Sequence, residues 1–206
     1  PLTVTDQAGR EVVIEAEPQT LVSGYYISTS ALIALGLDDR MVGIEAKADK
    51  RAIYQLASPA LPTLPSVGSA KEFDLEGCAA LDPDLVILPL KLKDAAETLS
   101  ALDIDVLLVN PENQTLLEDM IRLIASAANV GDAANELLGF TDAKEDALAK
   151  LLDGAEIGPA DKEGYFPRGI RHQVWREDAK PACDRMIDML LKKVNGLPFV
   201  TEMPIP

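Results

Sequence analysis

Phe73 to Leu90 reads FDLEGCAALDPDLVILPL, and the order of signals in it decides the fold class. Asp74 stands where a helix N-cap would, ahead of Leu75, Cys78, Ala79 and Leu81 at helical spacing, and Asp82-Pro83-Asp84 stops the helix. Leu85 to Leu88 is then a four-residue apolar run without alternation. Such a run suits a parallel strand covered on both faces. The segment from Pro89 to Asp94 leaves the carboxyl end of that strand, where open α/β sheets bind ligands.

Outward from this stretch the pattern repeats. LTVTDQAGREVVI, starting at Leu2, alternates apolar and polar residues around Ala8-Gly9 and reads as a hairpin of two short strands. Thr20 to Ser23 is a strand candidate, followed by a helix from Ser28 to Leu37, with Ser28 or Thr29 placed to cap it and Gly36 near its end. Met41 to Ile44 and Val106 to Val109 read as further strands. Arg51 to Ala57, Ala95 to Leu102 and Leu116 to Ala128 read as helices. Strands alternating with helices at this spacing predict an α/β lobe with a parallel sheet and helices on both faces. The expected organisation is a lobe over 1–128, a long helix over 129–153, and an irregular and helical tail over 154–206 that is not a complete second lobe. Within the tail only Cys183 to Val194 recovers helical spacing, through Met186, Ile187, Leu190, Leu191 and Val194.

Composition narrows the function classes. The 206 residues are 48% hydrophobic and carry a net charge of −15, enough apolar content for one sizeable core. This charge, without a basic stripe, argues against nucleic acid as a partner. No apolar run approaches the ~20 residues that cross a bilayer. The chain starts at Pro1, so a signal peptide is expected to have been removed or never present. Cys78 and Cys183 lie far apart in helical patterns and read as two buried or half-buried thiols, with the redox compartment left open. His172 is alone and reads as a surface residue; no metal or cofactor is expected to be held directly. No G-x-G-x-x-G or G-x-x-x-x-G-K-[ST] phosphate cradle and no acid/base constellation is visible.

The ordered segments TVTDQAGREVVI, GYYISTSALIALGLDDRMVGI, LPSVGSAKEFDLEGCAALDPDLVIL and LDIDVLLVNPEN resemble the amino-terminal lobe of the solute-binding proteins that feed ABC importers for iron-siderophores, haem and cobalamin. The resemblance covers about three-quarters of the chain. It implies a non-enzymatic, extracytoplasmic binding protein (periplasmic, or a cell-surface lipoprotein) with a Rossmann-like lobe, a linking helix from Val130 to Leu152, and an ABC permease as partner. After Glu156 no buried strand of Val, Ile or Leu type occurs, so Ile157 to Pro206 departs from the second lobe that the family has.

In that family the ligand is held by loops at the carboxyl ends of the strands. The matching loops place Tyr25 and Tyr26 to stack on a flat ligand, and Lys47, Arg51, Lys71, Lys91, Lys93 and Asn110 to meet an anionic complex. Exposed lysines are also commonly just solvated, and a tyrosine pair also serves to cover a sheet edge. Glu76 matches the family's acidic residue that docks on permease arginines, and as a first-turn glutamate it also favours the helix dipole. Two other functions stand beside this one: a remnant or sensor lobe that folds but does not clamp ligand, and a nucleotide-binding enzyme. A single wall of a cleft buries less of a ligand than a closed site, so affinity is expected at roughly micromolar or weaker. The tail helix is expected to favour a homodimer, with a monomer at every concentration in light scattering as the contrary result.

Overall fold

The structure, a computed structural model, describes residues 1–152. The expectations for Ile157–Pro206, including the Cys183–Val194 helix, Cys183 and His172, lie outside the described residues. Pro1–Ala149 forms one compact unit.

The opening hairpin pairs β1 (Leu2–Thr5) with β2 (Glu11–Ile14) antiparallel, Leu2 opposite Ile14 and Thr5 opposite Glu11. Gly9 takes a left-handed φ of 78° in the turn, as the Ala8-Gly9 reading requires. The main sheet is parallel and four-stranded, in the order β4 (Met41–Ile44), β3 (Leu21–Ser23), β5 (Leu85–Pro89), β6 (Asp105–Val109). All five residues of β5 are buried, as an unalternated apolar run demands.

Successive side chains of the strands separate into two cores. Leu85, Ile87, Leu107 and Val109 join α1 (Tyr26–Ala34), α5 (Gln114–Ala127) and α6 (Gly131–Leu152) through Leu32, Met120, Ile124 and Leu138. Val86, Leu88, Val106 and Leu108 join α3 (Leu75–Ala80) and α4 (Lys93–Ser100) through Cys78, Ala96 and Leu99. The period of two along each strand therefore supplies both faces. The long helix expected after Val130 is α6, with 22 residues.

Local chemistry fixes the joints. The Asp74 side chain accepts from Gly77 N at 2.8 Å and caps α3. Asp84 does more than end a turn: its carboxylate accepts from the backbone N–H groups of Gln19 at 2.7 Å and Thr20 at 2.8 Å. It thereby ties the start of β5 to the start of β3. Its carboxyl sits below the usual range, because these hydrogen bonds outweigh the burial that works to raise it.

The free edge of β6 is covered by the hairpin turn. Gln7 N donates to Leu108 O at 3.0 Å, Leu108 N to Asp6 Oδ2 at 3.1 Å, and Arg10 Nη2 to Val106 O at 2.7 Å. Asp6, with its side chain fully buried, also accepts from Arg10 Nε at 2.9 Å. Gln7 Oε1 takes the N–H of Asn110 at 2.6 Å and its Nε2 donates to Leu116 O at 2.8 Å, so the hairpin also holds the loop beyond β6.

Two expectations need correction. The first helix starts at Tyr26, not Ser28, and no side chain caps it. Ser28 and Thr29 lie within it, buried, because their hydroxyls have partners in the sheet: Ser28 Oγ lies 2.8 Å from Ser23 Oγ. Lys93 is the first residue of α4 and not part of a loop.

At the amino end of β6, burial pushes the Asp105 carboxyl up, helped by Glu15 and Asp84. A raised acid pKa gives stability that is present below the unfolded-state value and lost as pH rises through the folded one. Asp105→Asn is expected to stabilise the chain at neutral pH and to flatten the pH dependence of the urea midpoint as pH rises above the ordinary aspartate range. A midpoint unchanged at pH 7 contradicts this.

Candidate functional site

The chain leaves β3 for β4 on one side and comes back to β5 on the other. The loops after β3 and β5 therefore diverge at their carboxyl ends, the place where an α/β sheet opens a crevice. Gly24, directly after β3, donates to Ile87 O at 3.0 Å, and a Cβ there would sit 2.6 Å from Leu88 Cδ2. A side chain at this position would require the buried Leu88 side chain to move.

Two hollows lie along this end of the sheet. The first, of about 460 Å³, is lined by Tyr25, Tyr26, Glu45, Lys47, Arg51 and, from the following turn, Gly68, Ser69, Ala70 and Glu72. The second, of about 350 Å³, is lined by Pro89, Leu90, Lys91 and Asn110 to Glu112. Tyr25 and Ala70 line both, so the hollows adjoin and Tyr25 stands between them. Its ring meets that of Tyr26 edge to face, centroids 5.1 Å apart. Burial, then Tyr26 and Glu112, raises the Tyr25 hydroxyl pKa, so it stays protonated at neutral pH and can donate.

Of the residues expected at the site, Tyr25, Tyr26, Lys47 and Arg51 line the first hollow and Lys91 and Asn110 the second. Lys47 enters from a left-handed backbone, φ 65°, at the start of a short 3-10 turn. Lys71 and Lys93 line neither: Lys71 is exposed, and Lys93 pairs loosely with Glu97 at 3.8 Å across exposed helix surface. Glu76 is exposed in the first turn of α3 and lines neither hollow. Cys78 is buried and unbridged, its thiol pushed up to about 11 by burial and by Asp74, which makes it unreactive. Among the described residues no cluster of His, Cys, Asp and Glu could hold a metal ion, and no helix is long and apolar enough to cross a membrane.

Sequence reading missed a group beneath the first hollow. Glu45 is 5% exposed at the end of β4. Its Oε2 accepts from Thr29 Oγ1 and its Oε1 from Tyr54 Oη, each at 2.6 Å, and Arg51 Nε lies 3.5 Å from Oε1. Tyr54 belongs to α2 (Ala52–Ala57), and its hydroxyl pKa is driven up by burial and by Glu45. The Arg51 guanidinium stands 4.8 Å from the Tyr26 ring centroid and 5.7 Å from that of Tyr54, within cation–π range of both. The only available signal in the sequence was position: Glu45 directly follows the apolar strand Met41–Ile44.

Comparison with known proteins adds the family. Residues 21–160 match the model of the periplasmic binding protein family. The molybdate periplasmic binding protein MolA of Haemophilus influenzae superposes with a TM-score of 0.67 at 20% identity, over 74% of this chain and 54% of that one. The petrobactin-binding protein YclQ of Bacillus subtilis does so with a TM-score of 0.63 at 21% identity, over 75% of this chain and 54% of that one. A different kind of relative is the component B subunit beta of the betaine reductase complex of Peptoclostridium acidaminophilum. It is 47% identical over 97 residues, which is 47% of this chain and 21% of that protein. The chain thus spans about a fifth of this relative's length and about half that of the two structures. The family match covers most of the chain, including the four-stranded sheet and the strand-end loops that line both hollows, so this chain belongs to the periplasmic binding protein family.

Proposed function

We propose that the chain is the ligand-binding part of an extracytoplasmic solute-binding protein of an ABC importer, non-enzymatic, that captures an iron-siderophore, haem or cobalamin-like molecule. The observation that carries this reading is the pair of adjoining hollows at the carboxyl ends of the parallel strands, divided by Tyr25 and bearing Tyr26, Lys47, Arg51, Lys91 and Asn110. Aromatic faces suit a flat chelate, and cations suit its carboxylates or catecholates. The petrobactin-binding neighbour supports the iron-chelate member of the set. Glu76, exposed and without an ion pair among the described residues, is the proposed contact with permease arginines. The tail remains the proposed route to a homodimer.

Calorimetry of the full chain against ferric petrobactin, haem and cobalamin tests this. One of the three is expected to bind with a Kd of roughly micromolar. Tyr26→Ala should weaken it by about tenfold, the loss of one stacking face. Glu76→Ala should leave ligand affinity unchanged while weakening association with the reconstituted permease. A second reading follows from the 47% identity to the betaine reductase subunit, that the chain is part of such a complex. Failure of all three ligands to bind, with co-assembly of the chain and purified reductase subunits in mass photometry, would favour that reading over the importer.

A further inference from the structure

We propose that Glu45 is a positioning residue, holding the Arg51 guanidinium at the wall of the first hollow so that it meets an anionic ligand already oriented. The inference rests on the reading of that hollow as the ligand site. A carboxylate this deeply buried is costly unless it is fully hydrogen-bonded or paired. Glu45 has a hydroxyl on each oxygen, Thr29 and Tyr54. Thr29 is itself anchored to β3 through Ser23 Oγ at 2.8 Å, so the carboxylate joins β3, α1, β4 and α2 at one point. Two hydroxyl donors, however, do not require a charge, since the carbonyl of a neutral side chain also accepts from a hydroxyl.

What calls for the charge is Arg51. Its Nε is shut off from solvent without a hydrogen-bond acceptor, and the nearest anion is Glu45 Oε1 at 3.5 Å. The side chain as a whole is 38% exposed and lines the hollow. The guanidinium is thus fixed from behind by Glu45 and flanked by the rings of Tyr26 and Tyr54. A guanidinium held in this way loses less side-chain freedom when an anion arrives. Glu45 also lines the hollow but is only 5% exposed, so little of its negative charge faces an incoming anion.

The test is a double-mutant cycle on the full chain with ferric petrobactin as probe, read by calorimetry. Glu45→Gln is expected to weaken binding by about tenfold when Arg51 is present and by less than about twofold in an Arg51→Ala background, the signature of an effect that passes through Arg51. Equal losses in both backgrounds would mean that Glu45 acts only on the fold, and would overturn the proposal; so would no loss in either. A ligand-free measurement on the wild type guards against variants that do not fold. Hydrogen exchange of the Arg51 Nε–H, followed by NMR, is expected to be slow, and exchange at the rate of an exposed arginine overturns the positioning whatever binds. If the wild type shows slow exchange but fails to bind ferric petrobactin, haem or cobalamin, the ligand reading falls and the fixed geometry of Arg51 stands.

Discussion

Asp6→Ala is expected to lower the stability of the chain by about 3–5 kcal/mol, because its buried carboxylate accepts several hydrogen bonds worth roughly 1.5–3 kcal/mol each. The Asp6 carboxylate accepts from the backbone N–H groups of Ala8 and Arg10, each at 2.9 Å, from Leu108 N at 3.1 Å, and from the Arg10 guanidinium. Truncation leaves the buried Leu108 N–H without its acceptor and releases the turn that covers the edge of β6. Arg10, whose side chain is 21% exposed, can turn to water; the backbone donor of Leu108 cannot. Asp6→Asn keeps one oxygen and should cost less, about 1–3 kcal/mol. Urea denaturation compares the two. An Asp6→Ala variant within 1 kcal/mol of wild type would mean that the hairpin does not stabilise the sheet edge. A functional effect should follow, because Gln7 in the same turn holds the Asn110 loop.

Gly68→Ala should have the largest effect on the candidate site. Gly68 has φ 83°, and a Cβ there would run into the carbonyl oxygen of Glu72, a backbone atom with no freedom to swing aside. The same residue accepts from Ala46 N at 2.7 Å through its carbonyl, which docks the turn from 68 to 73 beside β4. Strain at a left-handed non-glycine position alone costs about 1–3 kcal/mol; the collision adds to it by forcing the turn open. Since this turn lines the first hollow, ligand affinity should fall by more than about tenfold, the effect of displacing a binding wall by about 1 Å. Gly9→Ala is the control: φ is 78° there too, but no atom lies within 4 Å of the added Cβ. It should cost only about 1 kcal/mol and leave binding unchanged. Equal affinities for the wild type and Gly68→Ala would detach this turn from the site.

How much of this was legible in the sequence depends on what each residue answers to. Asp74, Gly9 and the run Leu85–Leu88 respond to local rules of capping, turn and burial, and they occupy the places that those rules give. Ser28 and Thr29 looked like caps because a serine or threonine before an apolar run usually is one. Their hydroxyls instead serve Ser23 and Glu45, partners five and sixteen residues away. Leu85 and Val86 are indistinguishable in an all-apolar run, so which faces which core had to come from the positions of the helices. The loops that line the two hollows were legible from the strand ends, but the direction of a side chain within a loop was not. Lys47 and Lys91 reach the hollows while Lys71 and Lys93 miss them, although all four read alike as lysines near a strand's carboxyl end. Glu45 escaped notice because a lone glutamate after a strand ordinarily reads as a solvated turn residue, and its burial depends on Thr29, Arg51 and Tyr54 arriving together.

The central claim is that ligand is held at the carboxyl ends of the parallel strands. Titration of the isotope-labelled full chain with gallium-substituted petrobactin, diamagnetic and so visible to NMR, tests it most directly. Shift changes should concentrate at Tyr25, Tyr26, Lys47, Arg51, Ala70, Lys91 and Asn110, the residues of the two adjoining hollows. Changes concentrated instead around Leu2, Ile14 to Glu17, Ser126, Ala127 and Asn129, which line a separate hollow near the hairpin, or no changes at saturating ligand, would contradict it.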